Sequence, residues 1–139
     1  TRADKNHVLI WDPVRRDYFE LTPEELVRQL LILLFNQELK IPYSHMAVEK
    51  AIFIKNKRLR FDLLVYQRKT LNPLLLAELK KPSVPINQAV FDQLSAYQHI
   101  IKCPFLMASN GRKTRLMKTI HSGGYQELHQ WPDDLKIWS

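Results

Sequence analysis

One cysteine, Cys103, stands in the 139 residues, so no internal disulfide and no thiolate metal cage can form, which agrees with a reducing compartment. Glycine is scarce as well, at three residues, and neither a low-complexity tract nor a repeat is present. Long apolar runs are missing: the longest, Leu30 to Phe35, is six residues, against the roughly 20 a bilayer-spanning helix needs. The opening Thr1-Arg2-Ala3-Asp4-Lys5-Asn6 has no apolar signal core behind it. A cytoplasmic protein without membrane contact is expected. The five histidines, His7, His45, His99, His121 and His129, fall at no metal-ligand spacing, which argues against a zinc enzyme. No G-x-S-x-G elbow supports a serine hydrolase, and no G-x-x-x-x-G-K-[ST] loop supports an ATP-driven motor.

What is present begins with charge. Lys and Arg total 21 against 14 Asp and Glu, a formal charge of +7. Such an excess favours a polyanionic partner, although plain solubility would also account for it. The clusters Lys55, Lys57, Arg58 and Arg60, then Arg68 and Lys69, then Arg112, Lys113, Arg115 and Lys118, form a candidate phosphate-tracking surface; the plain alternative is a solvated face. The length fits one domain over residues 1–139.

Few helix starts are written as clearly as Thr22-Pro23-Glu24-Glu25: a Thr cap, Pro in the first position, and Glu three residues after the cap. Leu26, Val27, Leu30, Leu31, Leu33 and Leu34 follow at helical spacing and predict a broad buried face through about Glu38, with Pro42 closing the segment. Before it, Trp11-Asp12-Pro13 marks a turn and Asp17 to Leu21 an extended piece, with nothing firmer assigned over Thr1 to Leu21. Met46 to Ile54 reads as a strand leading through Lys55-Asn56-Lys57 into a second, Leu59 to Tyr66. After a third strand, Pro73 to Lys80, the prolines of Lys81-Pro82-Ser83-Val84-Pro85 break the sheet. A helix from near Asn87 carries Val90, Phe91, Leu94, Tyr97 and Ile101 as its buried stripe, up to Pro104. Phe105 to Ser109, Arg112 to Ile120 and Tyr125 to Leu128 read as further strands, turned at Asn110-Gly111 and Gly123-Gly124. The fold class expected is α/β or α+β, a mixed sheet with helices packed against it.

Chemistry concentrates where LRFDLLVY meets PLLLAELK. With a symmetric loop over residues 67–72, paired residues sum to 140, which sets Asp62 opposite Glu78 and puts Lys80 on the same face. Leu59, Phe61, Leu63 and Val65 would then form one apolar face and Arg60, Asp62, Leu64 and Tyr66 the other. Facing carboxylates destabilise a sheet unless something pairs with them. The plain alternative is an ion pair of Glu78 with Lys80 or Arg60, worth little at a surface. A divalent cation is the economical partner: Mg²⁺ takes one or two carboxylates together with carbonyl and water oxygens. Asp62, Glu78 and the Leu79 carbonyl could hold Mg²⁺, or Mn²⁺ as its substitute, with Lys80 stabilising charge at a reacting phosphorus.

Asp62 followed by Glu78-Leu79-Lys80 resembles the PD-(D/E)XK signature of restriction-endonuclease-like nucleases, and Gln93-Leu94-Ser95-Ala96-Tyr97 resembles the QxxxY element of their type I restriction and RecB-like branches. Thr22-Pro23-Glu24-Glu25, Val27-Arg28-Gln29, Ala47-Val48-Glu49-Lys50, Asp92-Gln93-Leu94 and Ser109-Asn110-Gly111 look like the stand-alone family named for the type I restriction enzyme R protein N terminus, over about Ile10 to Glu127. Phe61 stands where that signature's name has Pro. The resemblance implies a restriction-endonuclease-like fold and Mg²⁺-dependent hydrolysis of DNA. It implies that Asp62, Glu78 and Lys80 act with Gln93 and Tyr97, the last two bordering the site and touching nucleic acid or steadying Lys80. Taken alone, Tyr97 would be core and Gln93 a solvated flank. Glu25 reads equally as an extra metal or supporting ligand and as the third residue of a capping box. A non-catalytic nucleic-acid-binding or assembly module is the alternative function, and a homodimer or a partner subunit is open.

Overall fold

The computed structural model describes residues 2–4, 7–54, 56–98, 102–120, 124–136 and 138. The N-terminal stretch left largely unassigned by its sequence forms a three-stranded antiparallel sheet of β1 (Arg2–Asp4), β2 (His7–Asp12) and β3 (Asp17–Glu20). Its β2–β3 turn follows Asp12, whose carboxylate accepts the N–H groups of Val14 and Arg15 at 2.7 and 3.0 Å. Helix α1 (Pro23–Glu38) begins as its cap implies, the Thr22 hydroxyl accepting the Glu25 N–H at 3.1 Å. The reciprocal half of a capping box is not made, because the Thr22 N–H donates to the Glu20 carbonyl instead.

The buried side of α1 differs from the expected one. Val27, Leu31, Ile32 and Phe35 enter the core together with Glu25 and Arg28. Leu26, Leu30 and Leu33 lie outside, 42%, 49% and 46% exposed. A run that is apolar all round gives the periodicity no single direction, and tertiary packing selects the face.

Beyond α1, β4 (Met46–Ile54), β5 (Lys57–Tyr66) and β6 (Pro73–Leu79) run antiparallel, α2 (Gln88–Gln98) crosses over, and β7 (Phe105–Ser109), β8 (Thr114–Thr119) and β9 (Tyr125–Leu128) complete a six-stranded sheet in sequence order. Only β6 and β7 pair in parallel, as the crossover through α2 requires. The mixed sheet flanked by helices is the expected class. Its central strands are buried on both faces, hence their near-continuous apolar sequences. Leu75, Ala77, Phe105 and Met107 pack with α1 on one side, and Leu76, Leu106 and Ala108 with Val90, Phe91 and Leu94 of α2 on the other. The strand expected over Arg112 to Ile120 is the shorter β8, Thr114–Thr119, because Asn110 captures the Arg112 and Lys113 N–H groups in the turn. Ile101 and Gly123 lie outside the described residues, as do Lys55, His99 and His121, while the Tyr97 and Lys57 side chains are outside those described. No described helix is long and apolar enough to cross a membrane.

Candidate active site

Leu63 faces Ala77 and Leu64 faces Leu76, pairs that sum to 140, and the ladder ends there, one residue short of Asp62 and Glu78, whose carboxylates nevertheless interact. The symmetric count fails only at the loop end, where a shift between Val65 and Tyr66 brings Tyr66 opposite Pro73. Asp62 Oδ2 accepts the Leu79 N–H at 2.8 Å, which fixes the carboxylate at the end of β6. Lys80 Nζ lies 3.3 Å from Glu78 Oε1, and the Lys80 N–H donates to the Ser109 carbonyl at 2.9 Å. Asp62, Glu78 and Lys80 are therefore together, whereas Arg60 pairs with Glu49 at 2.8 Å rather than with Glu78.

The alternation expected along β5 breaks at Asp62. Leu59 and Phe61 pack on the α2 side, but Leu63 and Val65 pack on the α1 side. On the neighbouring strand, Glu49 stands level with Asp62, between the pairs Val48 with Leu63 and Lys50 with Phe61, and has a left-handed φ of 52°. A non-glycine residue in that region costs about 1–3 kcal/mol and persists only where its surroundings hold it. The irregularity brings the carboxylates of Glu49 and Asp62 to a common neighbour, Arg28.

Arg28 is nearly fully buried on α1. Its Nη1 donates to Glu25 Oε1 at 2.7 Å, and its Nη2 lies 3.5 Å from Glu49 Oε1 and 3.9 Å from Asp62 Oδ1. Its Nε finds no hydrogen-bond partner among the described residues. Glu25 also accepts from Arg15 Nη2 at 2.6 Å and from Gln29 Nε2 at 3.1 Å, and Arg15 reaches Asp12 at 2.6 Å. Burial opposes the charge on Asp12, yet its hydrogen bonds from Arg15 and Val14 hold that carboxyl below the usual carboxylate range. A chain of opposite charges thus runs from the N-terminal sheet through Glu25 and Arg28 to Asp62. Glu25 is engaged by two guanidinium groups and an amide, and meets the site through Arg28.

Val27, the neighbour of Arg28 on α1, packs against the turn that follows β7. Gly111 has a φ of 85°, and a Cβ there would lie 3.1 Å from Val27 Cγ2, so glycine lets α1 close onto the turn that follows β7. In the same turn Asn110 Nδ2 donates to the Val84 carbonyl at 2.7 Å and pins the loop that leaves Lys80. The Ser109-Asn110-Gly111 motif is architectural, holding both α1 and the Lys80 strand end.

Burial, then the charge of Asp62, pushes the Glu78 carboxyl up to about 7 despite Lys80 beside it. Its protonated form therefore favours the folded, metal-free protein. This contribution to stability is fully present below the ordinary carboxylate pKa and is lost as pH rises through about 7. Two facing carboxylates with a surplus of negative charge, beside one lysine, are a donor set suited to a hard divalent cation. Among the described residues no group of three or more His, Cys, Asp or Glu is placed to hold a metal ion, so carbonyl and water oxygens would complete such a shell. Gln93 is exposed on α2, whose buried stripe is Val90, Phe91 and Leu94. Cys103 is fully buried and its thiol is pushed up to about 12, mainly by that burial, which leaves it inert.

Comparison with known proteins adds the family. The sequence profile of the type I restriction enzyme R protein N terminus matches residues 23–132. Among solved structures, a fragment of a putative HsdR subunit of a type I restriction enzyme from Vibrio vulnificus YJ016 superposes with a TM-score of 0.56 at 18% identity. The match covers 83% of this chain and 24% of that one, so the chain spans about a quarter of the length of that structure. At this identity the likeness establishes the fold. No curated protein matches.

Proposed function

We propose, from the premise that this chain belongs to the family of the type I restriction enzyme R protein N terminus, that it is a PD-(D/E)XK nuclease domain hydrolysing DNA phosphodiester bonds with Mg²⁺. The observation that carries the reading is the convergence of Asp62, Glu78 and Lys80 at one end of the β5–β6 hairpin, with Lys80 Nζ 3.3 Å from Glu78.

Asp62, Glu78 and the Leu79 carbonyl would hold the cation, which when bound polarises a phosphate and makes a water more acidic. Leu79 orients Asp62 through its N–H. Lys80, held by Ser109, presents an ammonium to the charge that grows on the phosphate oxygens. Arg28 positions Asp62 and balances the carboxylates around it. Gln93 and Tyr97, one helical turn apart on α2, the next element after the strand that carries Glu78, contact the nucleic acid. The protein is expected to cut plasmid, linear or single-stranded DNA with Mg²⁺ or Mn²⁺ and to leave all three intact with EDTA, read on a gel. DNA left uncut under every metal condition would favour a non-catalytic binding module.

A further inference from the structure

The β4–β5 hairpin reaches past the candidate site toward its turn, and its register places a row of side chains on one face. Phe53 pairs with Arg58, Ala51 with Arg60, and Glu49 stands level with Asp62. Directly opposed residues share a face of the ladder. The Arg60 contact to Glu49 at 2.8 Å, and the Arg28 contacts to Glu49 and Asp62, carry that face across the irregular step. The opposite face is spent on packing, with Leu59 and Phe61 buried on the α2 side. Phe53 is 72% exposed, Arg58 is exposed, and more than half of the Arg60 side chain is open to solvent.

Single exposed apolar residues are ordinary. What distinguishes Phe53 is its place: an aromatic ring level with one guanidinium and followed by a second, in line with the carboxylates. At about 3.4 Å per residue, Arg58 lies about 14 Å along β5 from Asp62, a span of a few nucleotides. Guanidinium groups suit phosphates, and an open aromatic ring suits the face of an unstacked base.

We propose that this hairpin is a binding arm for single-stranded DNA, guiding a strand to the Asp62 and Glu78 site through phosphate contacts from Arg58 and Arg60 and a base stacked on Phe53. The inference rests on the nuclease reading for the role of the site. Binding is tested without metal, so the two can fail separately.

The experiment is fluorescence anisotropy of labelled single-stranded and duplex oligonucleotides in EDTA, over a range of salt concentrations. Phe53→Ala should weaken single-strand binding about tenfold and duplex binding far less, with Phe53→Trp restoring it. Arg58→Ala should weaken binding and lower the salt slope by about 0.7. Both positions are exposed, and melting temperatures equal to that of the unsubstituted chain would confirm that the fold is kept. Unchanged affinity and slope in both variants would overturn the arm, whether or not the protein cuts DNA. Equal losses on single strand and duplex for Phe53→Ala would overturn the single-strand assignment. A dimer that Phe53→Ala dissolves would assign the ring to a second copy and overturn the proposal as well.

Discussion

Lys80→Ala is expected to slow Mg²⁺-dependent DNA cleavage by about 10²- to 10³-fold, the scale seen when one preorganised donor to a developing charge is removed. The same variant should still bind the cation, because the ammonium repels rather than ligates it. Asp62→Asn should lose both cation binding and cleavage. These two variants separate the group that acts on the phosphate from the group that holds the metal. Both side chains are partly exposed at the end of the hairpin, with side-chain exposures of 31% for Lys80 and 20% for Asp62, so the fold should survive either change. Equal loss of cation binding in both variants would mean that Lys80 acts by shaping the site.

Arg28→Met should cost about 3–5 kcal/mol of stability, the usual effect of removing one partner from a buried ion pair. Glu25, Glu49 and Asp62 would then share the space around an apolar side chain, and only Arg15 and Gln29 would still reach Glu25. Chemical denaturation measures the loss. The double variant Arg28→Met with Glu25→Met should recover much of it, because both buried charges then leave together. Arg28→Lys should keep more stability than Arg28→Met, since it retains a charge but not the forked donors. A cost below about 1 kcal/mol for Arg28→Met would show that the buried guanidinium contributes as little as a surface pair.

The parts of this molecule that local rules decide were open to the sequence. Thr22 and Pro23 set the start of α1, and the short connection between β5 and β6 set the register that brings Asp62 to Glu78. Arg28 and Glu49 escaped because their roles come from tertiary placement. Both fell within motif fragments, Val27-Arg28-Gln29 and Ala47-Val48-Glu49-Lys50, but no spacing rule joins residues 21 positions apart on a helix and a strand. Counting odd and even positions assumes an unbroken pleat, and the left-handed Glu49 marks where that assumption stops. The continuous apolar run of α1, Leu30 to Phe35, carried no directional signal, so the exposure of Leu26, Leu30 and Leu33 had to come from packing. The small N-terminal sheet was hidden for another reason. Its strands are short, β2 and β3 are only partly buried, and the pairing is of the three with one another, so the pattern of a buried face never develops.

Calorimetric titration with Mn²⁺ shows whether Asp62 and Glu78 hold a divalent cation. Glu78, with its carboxyl pushed up to about 7, carries a proton at lower pH that the cation must displace. The affinity of the unsubstituted chain should therefore rise by about tenfold per pH unit up to about pH 7 and then level off. Asp62→Asn and Glu78→Gln should each abolish the binding. Absence of Mn²⁺ binding by the unsubstituted chain at pH 8, or binding that both variants keep, would mean that Asp62 and Glu78 are not the ligands of a cation.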